Sequence, residues 1–273
     1  MSLLAASRSE STKLFTTSIW WVLAIVLVGY VGFNAAALAF VFSAASTGAL
    51  GGEGAPPTPA DGIPSLLYST ATAVGYVFPL LIGTLMVTSE FRHKTLTSTF
   101  LATPRRGLVL GAKLVVGLAV GLLFGVLGVI AAVGPSAAFL AGYGLDTDLT
   151  SGDTWALIGR MLVAFVVWVW VGIGVGALVR NQVGAIVGVL VFTLFLEPIA
   201  RLAASFVDGL GDALRFLPGA AGDALVGESI LTAASGAGGA EPLAWWAGGL
   251  VLVGYAAVLV VLGHFVSWRR DVT

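Results

Sequence analysis

Charged side chains are rare in this chain, and they concentrate between residues 89 and 113. Only 10% of the 273 residues are Asp, Glu, Lys or Arg, yet this stretch contains Glu90, Arg92 and Lys94, followed by a basic turn, Arg105–Arg106. Such residues suit charge-assisted contacts with a partner at a water-facing surface. Glu90 and Lys94 stand four residues apart with the acid first, which is the favourable order for an ion pair within a helix. The plainer interpretation is a basic loop that only fixes the orientation of the chain in a membrane.

Known catalytic and nucleotide-binding patterns are missing from the sequence. It contains no G-x-x-x-x-G-K-[ST] phosphate loop, no H-E-x-x-H, no G-x-S-x-G and no G-x-G-x-x-G. The chain has no cysteine, which excludes disulfides and thiol catalysis. His93 and His264 are far apart in sequence, and we interpret both as solvated residues near a membrane surface. The apolar segments carry no pair of carboxylates for proteolysis or a proton relay. The sequence predicts neither an enzyme nor a metal site.

The composition is that of a membrane protein. Hydrophobic residues make up 58% of the chain, and the mean hydropathy is +1.01. A soluble domain cannot bury that much apolar surface, so we expect an all-α membrane protein embedded in a lipid bilayer. The net charge of −1 excludes a strongly basic nucleic-acid-binding protein. The first apolar run is too long for a cleaved signal, so we expect the N-terminus to be retained.

Six apolar runs are long enough to be membrane spans. The fifth is short, and Glu197 and Pro198 end it. We expect Pro79 to kink span two, and Gly134–Pro135 to close span three. The small residues Gly117, Gly121 and Gly125, spaced by four, predict a close helix contact along span three. The six predicted spans are about 19–42, 66–88, 108–133, 155–179, 183–198 and 245–268.

The segments between the spans also have recognisable patterns. Residues 2–17 predict a helix lying in the membrane interface. In the loop 89–107 an amphipathic pattern continues until Pro104, so a short surface helix is expected there. Residues 43–64 predict a flexible outer loop with Glu53 and Asp61. Residues 199–244 predict one or two amphipathic helices on or in the outer leaflet, followed by a Gly/Ala-rich link; their polar face carries Asp208, Asp212 and Arg215.

Lysine and arginine residues predict the orientation. Most of them fall at one side of the alternating spans, including Arg269 and Arg270 at the C-terminus. By the positive-inside rule, both termini and the loop 89–107 are cytoplasmic.

Polar side chains within two spans mark a candidate pathway. Tyr68, Thr72 and Tyr76 recur at four-residue spacing on span two, and Phe192 and Thr193 lie on span five. A polar and aromatic stripe is unusual on a lipid-facing surface, so we expect it to line a substrate pathway. The alternative is helix packing through hydroxyl hydrogen bonds.

Glu197 is the one acidic residue that abuts a span, and Arg201 follows it by four positions. A carboxylate in hydrocarbon needs a partner or water. One hypothesis is that Glu197 and Arg201 form an outer gate that latches span five to the outer helices. The plainer interpretation is that Glu197 is a solvated residue where span five ends.

Two stretches resemble the permease subunits of type-2 ABC exporters, the six-span proteins that pair with a separate ATPase. The first is the loop motif, which comprises Glu90-Phe91-Arg92, Thr95, Leu101, Pro104, Arg105 and Lys113. The second is similar to the N-terminal elbow helix of bacterial members, and comprises Glu10, Lys13, Leu14 and Trp20-Trp21.

This resemblance implies a function for the whole chain, residues 1–273, as a single permease domain in a bacterial cell membrane. The loop would contain the coupling helix that docks into the ATPase, and by matching positions its contact residues are Glu90, Phe91, Arg92, Lys94, Thr95 and Arg105. Two permeases, identical or related, would enclose the pathway between spans two and five, with re-entrant helices between spans five and six. Two ATPase subunits would bind the ATP and magnesium, and this chain itself would hold no cofactor.

Two other classes of function stay open at this point. A stand-alone secondary transporter or channel would have charged or broken spans near the middle of the membrane. A non-transporting assembly or sensor protein would share the same composition.

Overall fold

The computed structural model describes residues 2–48, 62–102, 105–204, 206–207, 209–227 and 242–268. These residues form helices and connecting turns, and no strand occurs among them. Six helical segments are long and apolar enough to cross a membrane, which confirms the all-helical class and the number of spans.

The six spans comprise most of the helices. Span one is α2, Ile19–Ser46; span three is α7, Arg106–Gly142; and span four is α8, Gly152–Leu178. Span two, Ile63–Arg92, consists of three helices, and span five, Gln182–Ala204, of two helices joined by the π-helical turn Phe192–Leu196. Span six is α13, Trp245–Gly263, continued by the π-helical turn His264–Trp268. The helices within spans two and five are α3 (Ile63–Tyr68), α4 (Thr70–Ala73), α5 (Val77–Arg92), α9 (Gln182–Val191) and α10 (Glu197–Ala204).

Four shorter helices lie outside the spans. They are α1 (Leu3–Phe15), α6 (Leu96–Ala102), α11 (Leu210–Leu214) and α12 (Pro218–Val226). The helix α1 and the turn at His264 both pack near the start of span three. A side-chain carbon built on Gly111 would lie 3.7 Å from Leu3, and one built on Gly107 would lie 3.8 Å from His264. We call this end of the bundle the terminal end, and the opposite end, which carries α12, the distal end.

Span two breaks between α4 and α5, in the distal half of the span. Pro79 lies four residues after Gly75, and a proline ring clashes with the carbonyl group four residues before it. The expected effect of Pro79 is therefore confirmed, although the break falls at Val74–Tyr76, ahead of the proline. Gly75 is needed there because an added Cβ would lie 2.2 Å from the carbonyl oxygen of Ala71.

The predicted ends of spans three and five are wrong. Span three continues through Pro135 to Gly142 because the residues after the proline pack well: Leu140 is 1% exposed and clusters with Ala39, Ile63 and Leu67. Burial of such side chains offsets the roughly 3 kcal/mol cost of an interior proline.

Span five continues through Pro198 to Ala204. Pro198 is the second residue of α10, where a missing N–H is tolerated, and the preceding π-helical turn Phe192–Leu196 absorbs the irregularity.

Span four is the centre of the bundle, and it packs against spans two, three and six. Its glycines point to different neighbours. A Cβ on Gly172 would lie 2.2 Å from the carbonyl oxygen of Leu80 in span two, and one on Gly174 would lie 2.6 Å from the Leu259 side chain in span six. The predicted close contact along span three is confirmed: a Cβ on Gly121 would lie 2.5 Å from Val166 of span four.

Spans one, five and six lie at the periphery. In their most apolar windows only 28%, 22% and 22% of residues are buried, against 72% in spans two and four. Large apolar side chains such as Phe33 and Phe195 are exposed on them. These faces are suited to lipid or to another apolar helix.

Several predicted features fall outside the described residues. These are the loop residues Glu53 and Asp61, the helix-ending Pro104, the acidic Asp208, most of the Gly/Ala-rich link (228–241), and Arg269 and Arg270.

Candidate functional site

Four charged side chains meet at the terminal end of the bundle; three of them are buried, and Lys13 is half-buried. Glu10 and Lys13 come from α1, Glu90 from the last turn of span two, and Lys113 from the second turn of span three. Lys113 is 1% exposed, and Glu10 and Glu90 are each 5% exposed. Two acids and two bases thus balance each other at the junction of three helices. We call these four residues the ion cluster.

The two lysines connect every member of the ion cluster. Lys113 Nζ donates a hydrogen bond to Glu10, lies 3.2 Å from Glu90 Oε1, and donates to the carbonyl oxygen of Met86 at 3.0 Å. Lys13 Nζ lies 2.7 Å from Glu10 Oε1 and 2.8 Å from Glu90 Oε1. The bonds to both carboxylates and to Met86 compensate for removing these charges from water.

The ion cluster also holds the loop after span two. Lys13 Nζ donates a hydrogen bond of 3.1 Å to Thr99 Oγ1, in the middle of α6. Leu96, at the start of α6, is 2% exposed and anchors the helix by its apolar side chain. The short helix expected in this loop therefore exists, and polar and apolar contacts attach it to the bundle.

The charges in the ion cluster shift the pKa values of its two members on α1, Glu10 and Lys13. Burial alone would raise the pKa of Glu10, but Lys113 and Lys13 together hold it below its usual value. Burial likewise opposes the charged form of Lys13, but its hydrogen bonds to Glu10 and Glu90 raise its pKa above the usual value. Both groups are therefore held in their charged forms.

The structure corrects one prediction about Glu90. The expected helical ion pair with Lys94 is wrong, because α5 ends at Arg92 and Lys94 lies beyond it with a φ of +54°. The carboxylate of Glu90 points instead to Lys13 and Lys113, inside the chain. Glu90 Oε2 is buried and has no hydrogen-bond partner among the described residues.

The other loop residues predicted to contact an ATPase lie nearer the surface. Arg92, Lys94 and Thr95 are exposed, as is Arg105 at the start of span three, while Phe91 is half-buried against the core. The structure therefore groups an exposed basic tip, Arg92–Thr95, directly outside the buried ion cluster.

Sequence reasoning missed Glu10, Lys13 and Lys113 as site residues. Lys113 gave a signal, because it lies five residues inside the apolar run that starts at Leu108, and a cation in such a place needs a partner. The amphipathic N-terminal segment contained a carboxylate that could supply that partner, but nothing in the sequence showed that α1 packs on span three.

The predicted stripe on span two does not form one continuous helix face. Tyr68 and Thr72 are buried, at 0% and 6% exposure, and the break between α4 and α5 separates them from Tyr76. Their hydroxyl groups donate within the chain: Tyr68 to the carbonyl oxygen of Thr147 at 2.6 Å, and Thr72 to that of Ser69 at 3.0 Å. This geometry favours the packing interpretation for Tyr68 and Thr72.

Tyr76 connects span two to span five. Its hydroxyl group donates to the carbonyl oxygen of Thr193 at 3.2 Å, and its ring lies 4.7 Å from that of Trp168 in span four. Thr193 is 3% exposed and donates to Val189, whereas Phe192 is half-buried. Of the predicted pathway residues, Tyr76 and Thr193 are therefore brought together at the contact between spans two and five.

Glu197 and Arg201 both bind α12, and no salt bridge between the two occurs in the described part of the chain. Glu197 is 2% exposed, and its Oε1 accepts a hydrogen bond of 2.9 Å from the backbone N–H of Ala220, in the first turn of α12. Arg201 Nη1 lies 2.7 Å from Asp223 Oδ2 on the same helix. The idea of a solvated boundary residue is wrong for Glu197, since the span continues past it and buries it.

No model of a known protein family matches this chain, and no curated protein matches it. Among the described residues, no group of three or more His, Asp or Glu side chains could hold a metal ion. What the chain does is therefore inferred from its own residues and geometry.

Proposed function

We propose that the chain is the transmembrane permease subunit of an ATP-driven exporter, coupled to a separate ATPase at the terminal end. The observation that carries this proposal is the exposed basic tip, Arg92–Thr95, placed directly outside the buried ion cluster. The six spans, and the resemblance of the loop to that of type-2 ABC permeases, support it.

The ion cluster is arranged to pass a displacement of the tip to the spans. A push on the tip reaches Glu90 at the end of span two, and Glu90 is paired with Lys13 of α1 and Lys113 of span three. Closely packed, hydrogen-bonded elements move together because separating buried charges is costly. In this proposal Glu90 is a positioning residue, and the ATPase contacts are Phe91, Arg92, Lys94, Thr95 and Arg105.

The substrate pathway in this proposal lies between spans two and five of two permease copies. Tyr76 and Thr193 close that contact in a single copy. Span five exposes a row of apolar side chains, including Val187 and Phe195, which suits a second copy of this chain or a related permease. The ATPase subunits, two per assembly, would carry the ATP and magnesium, in a bacterial cell membrane with both termini of this chain in the cytoplasm.

The test begins with the intact complex. The tagged chain is purified in mild detergent from its native membrane, and we expect a second chain with a phosphate-binding loop and ATP hydrolysis activity to copurify. The double variant Arg92→Ala with Lys94→Ala should lose most of this partner, because each lost charge-assisted contact weakens binding by about tenfold or more. Arg8→Ala, an exposed cation at the same end but on α1, is the matched control.

The result also separates the other classes of function. Retention of the ATPase by the double variant would contradict the assignment of the tip as the docking surface. Transport by the purified chain in vesicles without any ATPase would favour a secondary transporter or channel, and absence of both transport and a partner would favour an assembly or sensor protein.

A further inference from the structure

The environment of Glu197 is unusual for an ionised carboxylate. Oε1 accepts one hydrogen bond, from Ala220 N–H at 2.9 Å, whereas Oε2 is buried and has no hydrogen-bond partner among the described residues. The backbone of Gly219 closes the site from one side: a Cβ there would lie 2.5 Å from Oε1 and 2.8 Å from Oε2. One carboxylate oxygen is thus shielded from water without a donor.

No cation among the described residues lies within salt-bridge distance of Glu197. Arg201, on the same helix, is paired with Asp223 of α12 at 2.7 Å. From span two the titratable group that faces Glu197 is Tyr76, whose hydroxyl group donates to Thr193. The cation packed against α12 from span four is Arg160, which lies beside Gly227 at the other end of that helix. In the part of the chain that the structure describes, Arg201 is thus paired with Asp223, and Glu197 makes no ion pair.

A buried carboxylate without a counter-charge usually neutralises by taking up a proton. The first turn of α12 favours a negative charge, but the backbone N–H groups of Ala220 and Gly219 compensate for only part of the cost of burial. A proton on Oε2 removes that cost, and Oε1 can still accept from Ala220. The ligand that fits this site is a proton.

We propose that Glu197 is a proton-binding site that links the position of span five to pH. When α10 lies against α12, Oε2 carries a proton; when the two helices separate, the proton passes to water and the carboxylate remains on α10. This inference depends on the fold of the chain and not on an ATPase partner.

The packing of α12 makes such a separation specific to span five. Helix α12 packs closely on span six, where a Cβ on Gly248 would lie 2.6 Å from the carbonyl oxygen of Ala221. It also packs on span four, through Gly222 and Trp168. Span five is peripheral, and its α10 holds α12 by the Glu197 hydrogen bond and the Arg201 pair. Movement of span five away from α12 would expose the buried Glu197 carboxylate to water.

The first experiment compares the thermal unfolding of the purified chain and its Glu197→Gln variant in lipid nanodiscs between about pH 5 and pH 8. Above about pH 4.3 an exposed glutamate is ionised, so the folded wild-type chain would bind one more proton than the unfolded chain. Its unfolding equilibrium constant, relative to that of the variant, should rise by up to about tenfold per pH unit. Asp212→Asn, which removes an exposed carboxylate from α11, should keep the wild-type pH dependence.

Two outcomes would overturn the proposal. Parallel pH curves for wild type and Glu197→Gln would show that Glu197 binds no extra proton in the folded chain. If the wild-type chain instead loses stability relative to the variant as the pH falls, Glu197 is ionised in the folded chain.

Infrared spectroscopy provides a test that does not depend on the folding of a variant. At about pH 6, where exposed carboxylates are ionised, the wild-type chain should show the band of one protonated carboxyl group. Asp223→Asn should retain this band and Glu197→Gln should lose it. Absence of the band from the wild-type chain would contradict the proposal.

Discussion

At the scale of single residues, Lys113 has the largest expected effect on stability. It is 1% exposed and contacts Glu10, Glu90 and Met86. Lys113→Ala would leave two buried carboxylates with Lys13 as their remaining partner, and breaking a buried ion pair in this way costs about 3–5 kcal/mol. Chemical denaturation of the purified variant measures the loss.

The control for this prediction is Lys94→Ala at the exposed tip, which should change stability by at most about 0.5 kcal/mol. The pair Lys113→Met with Glu10→Gln should recover part of the loss, because it removes one charge of each sign. Equal stability of Lys113→Ala and Lys94→Ala would mean that the ion cluster does not hold the terminal end together.

The ion cluster should also make stability depend on pH in a defined direction. The pKa of Glu10 is lowered from an ordinary 4.5, so its contribution is present above pH 4.5 and is lost as the pH falls through the folded-state value. The pKa of Lys13 is raised from an ordinary 10.5, so its contribution is present below pH 10.5 and is lost as the pH rises through the folded-state value. Melting temperatures of wild type and Glu10→Gln should therefore converge as the pH falls below 4.5 and through the folded-state pKa of Glu10. A constant difference across that range would contradict the assignment.

Glu90 shows why residue roles are hard to predict from the sequence. Its spacing to Lys94 is correct for a helical ion pair, but the helix ends two residues earlier, and two long-range cations bind it instead. The sequence correctly indicates that the loop is charged. The partners of its acid lay 77 residues before it and 23 residues after it, and no local pattern specifies contacts over such distances.

At the scale of helices, the glycines of span four should tolerate substitution very differently. Gly172→Ala places a methyl group 2.2 Å from the backbone of Leu80, and Gly159→Ala places one where nothing lies within 4 Å. Overpacking of this kind costs about 1–3 kcal/mol, whereas alanine at an open helix position gains up to about 1 kcal/mol. Denaturant titration of both variants should show a loss for the first and no loss for the second. Similar values for the two would mean that spans two and four can separate without cost.

The helix ends show which element features a sequence can specify. Pro79 was a sound signal for a break because its ring acts on the carbonyl group of Gly75, within the same segment. Pro135 and Pro198 carried the same local signal, but packing of Leu140 outweighs the first and the π-helical turn accommodates the second. The glycines of span three predicted a close helix contact correctly, but their spacing could not say that span four is the partner.

At the scale of the whole molecule, the number of spans follows directly from hydropathy because each span needs its own long apolar run. The arrangement of the spans around span four could not be predicted, since it depends on which small residues face each other. The distal α12 was expected only as part of an amphipathic region. Its attachment to Glu197 and Arg201 is a long-range contact that the sequence did not indicate.

The last prediction is the direction in which the bundle crosses its membrane. Among the described residues, eight cations lie at the terminal end and three lie towards the distal end, so the positive-inside rule places the terminal end in the cytoplasm. The eight are Arg8, Lys13, Arg92, Lys94, Arg105, Arg106, Lys113 and Arg180, and the three are Arg160, Arg201 and Arg215.

The chain has no cysteine, so single cysteines can be labelled without background. His93→Cys and Thr150→Cys replace exposed residues in the segments that precede and follow span three. In intact cells a membrane-impermeant maleimide should label position 150 at once, and position 93 only after permeabilisation. The reverse pattern would invert the orientation and move the basic tip away from any cytoplasmic ATPase, and labelling of both positions from one side would mean that span three does not cross the membrane.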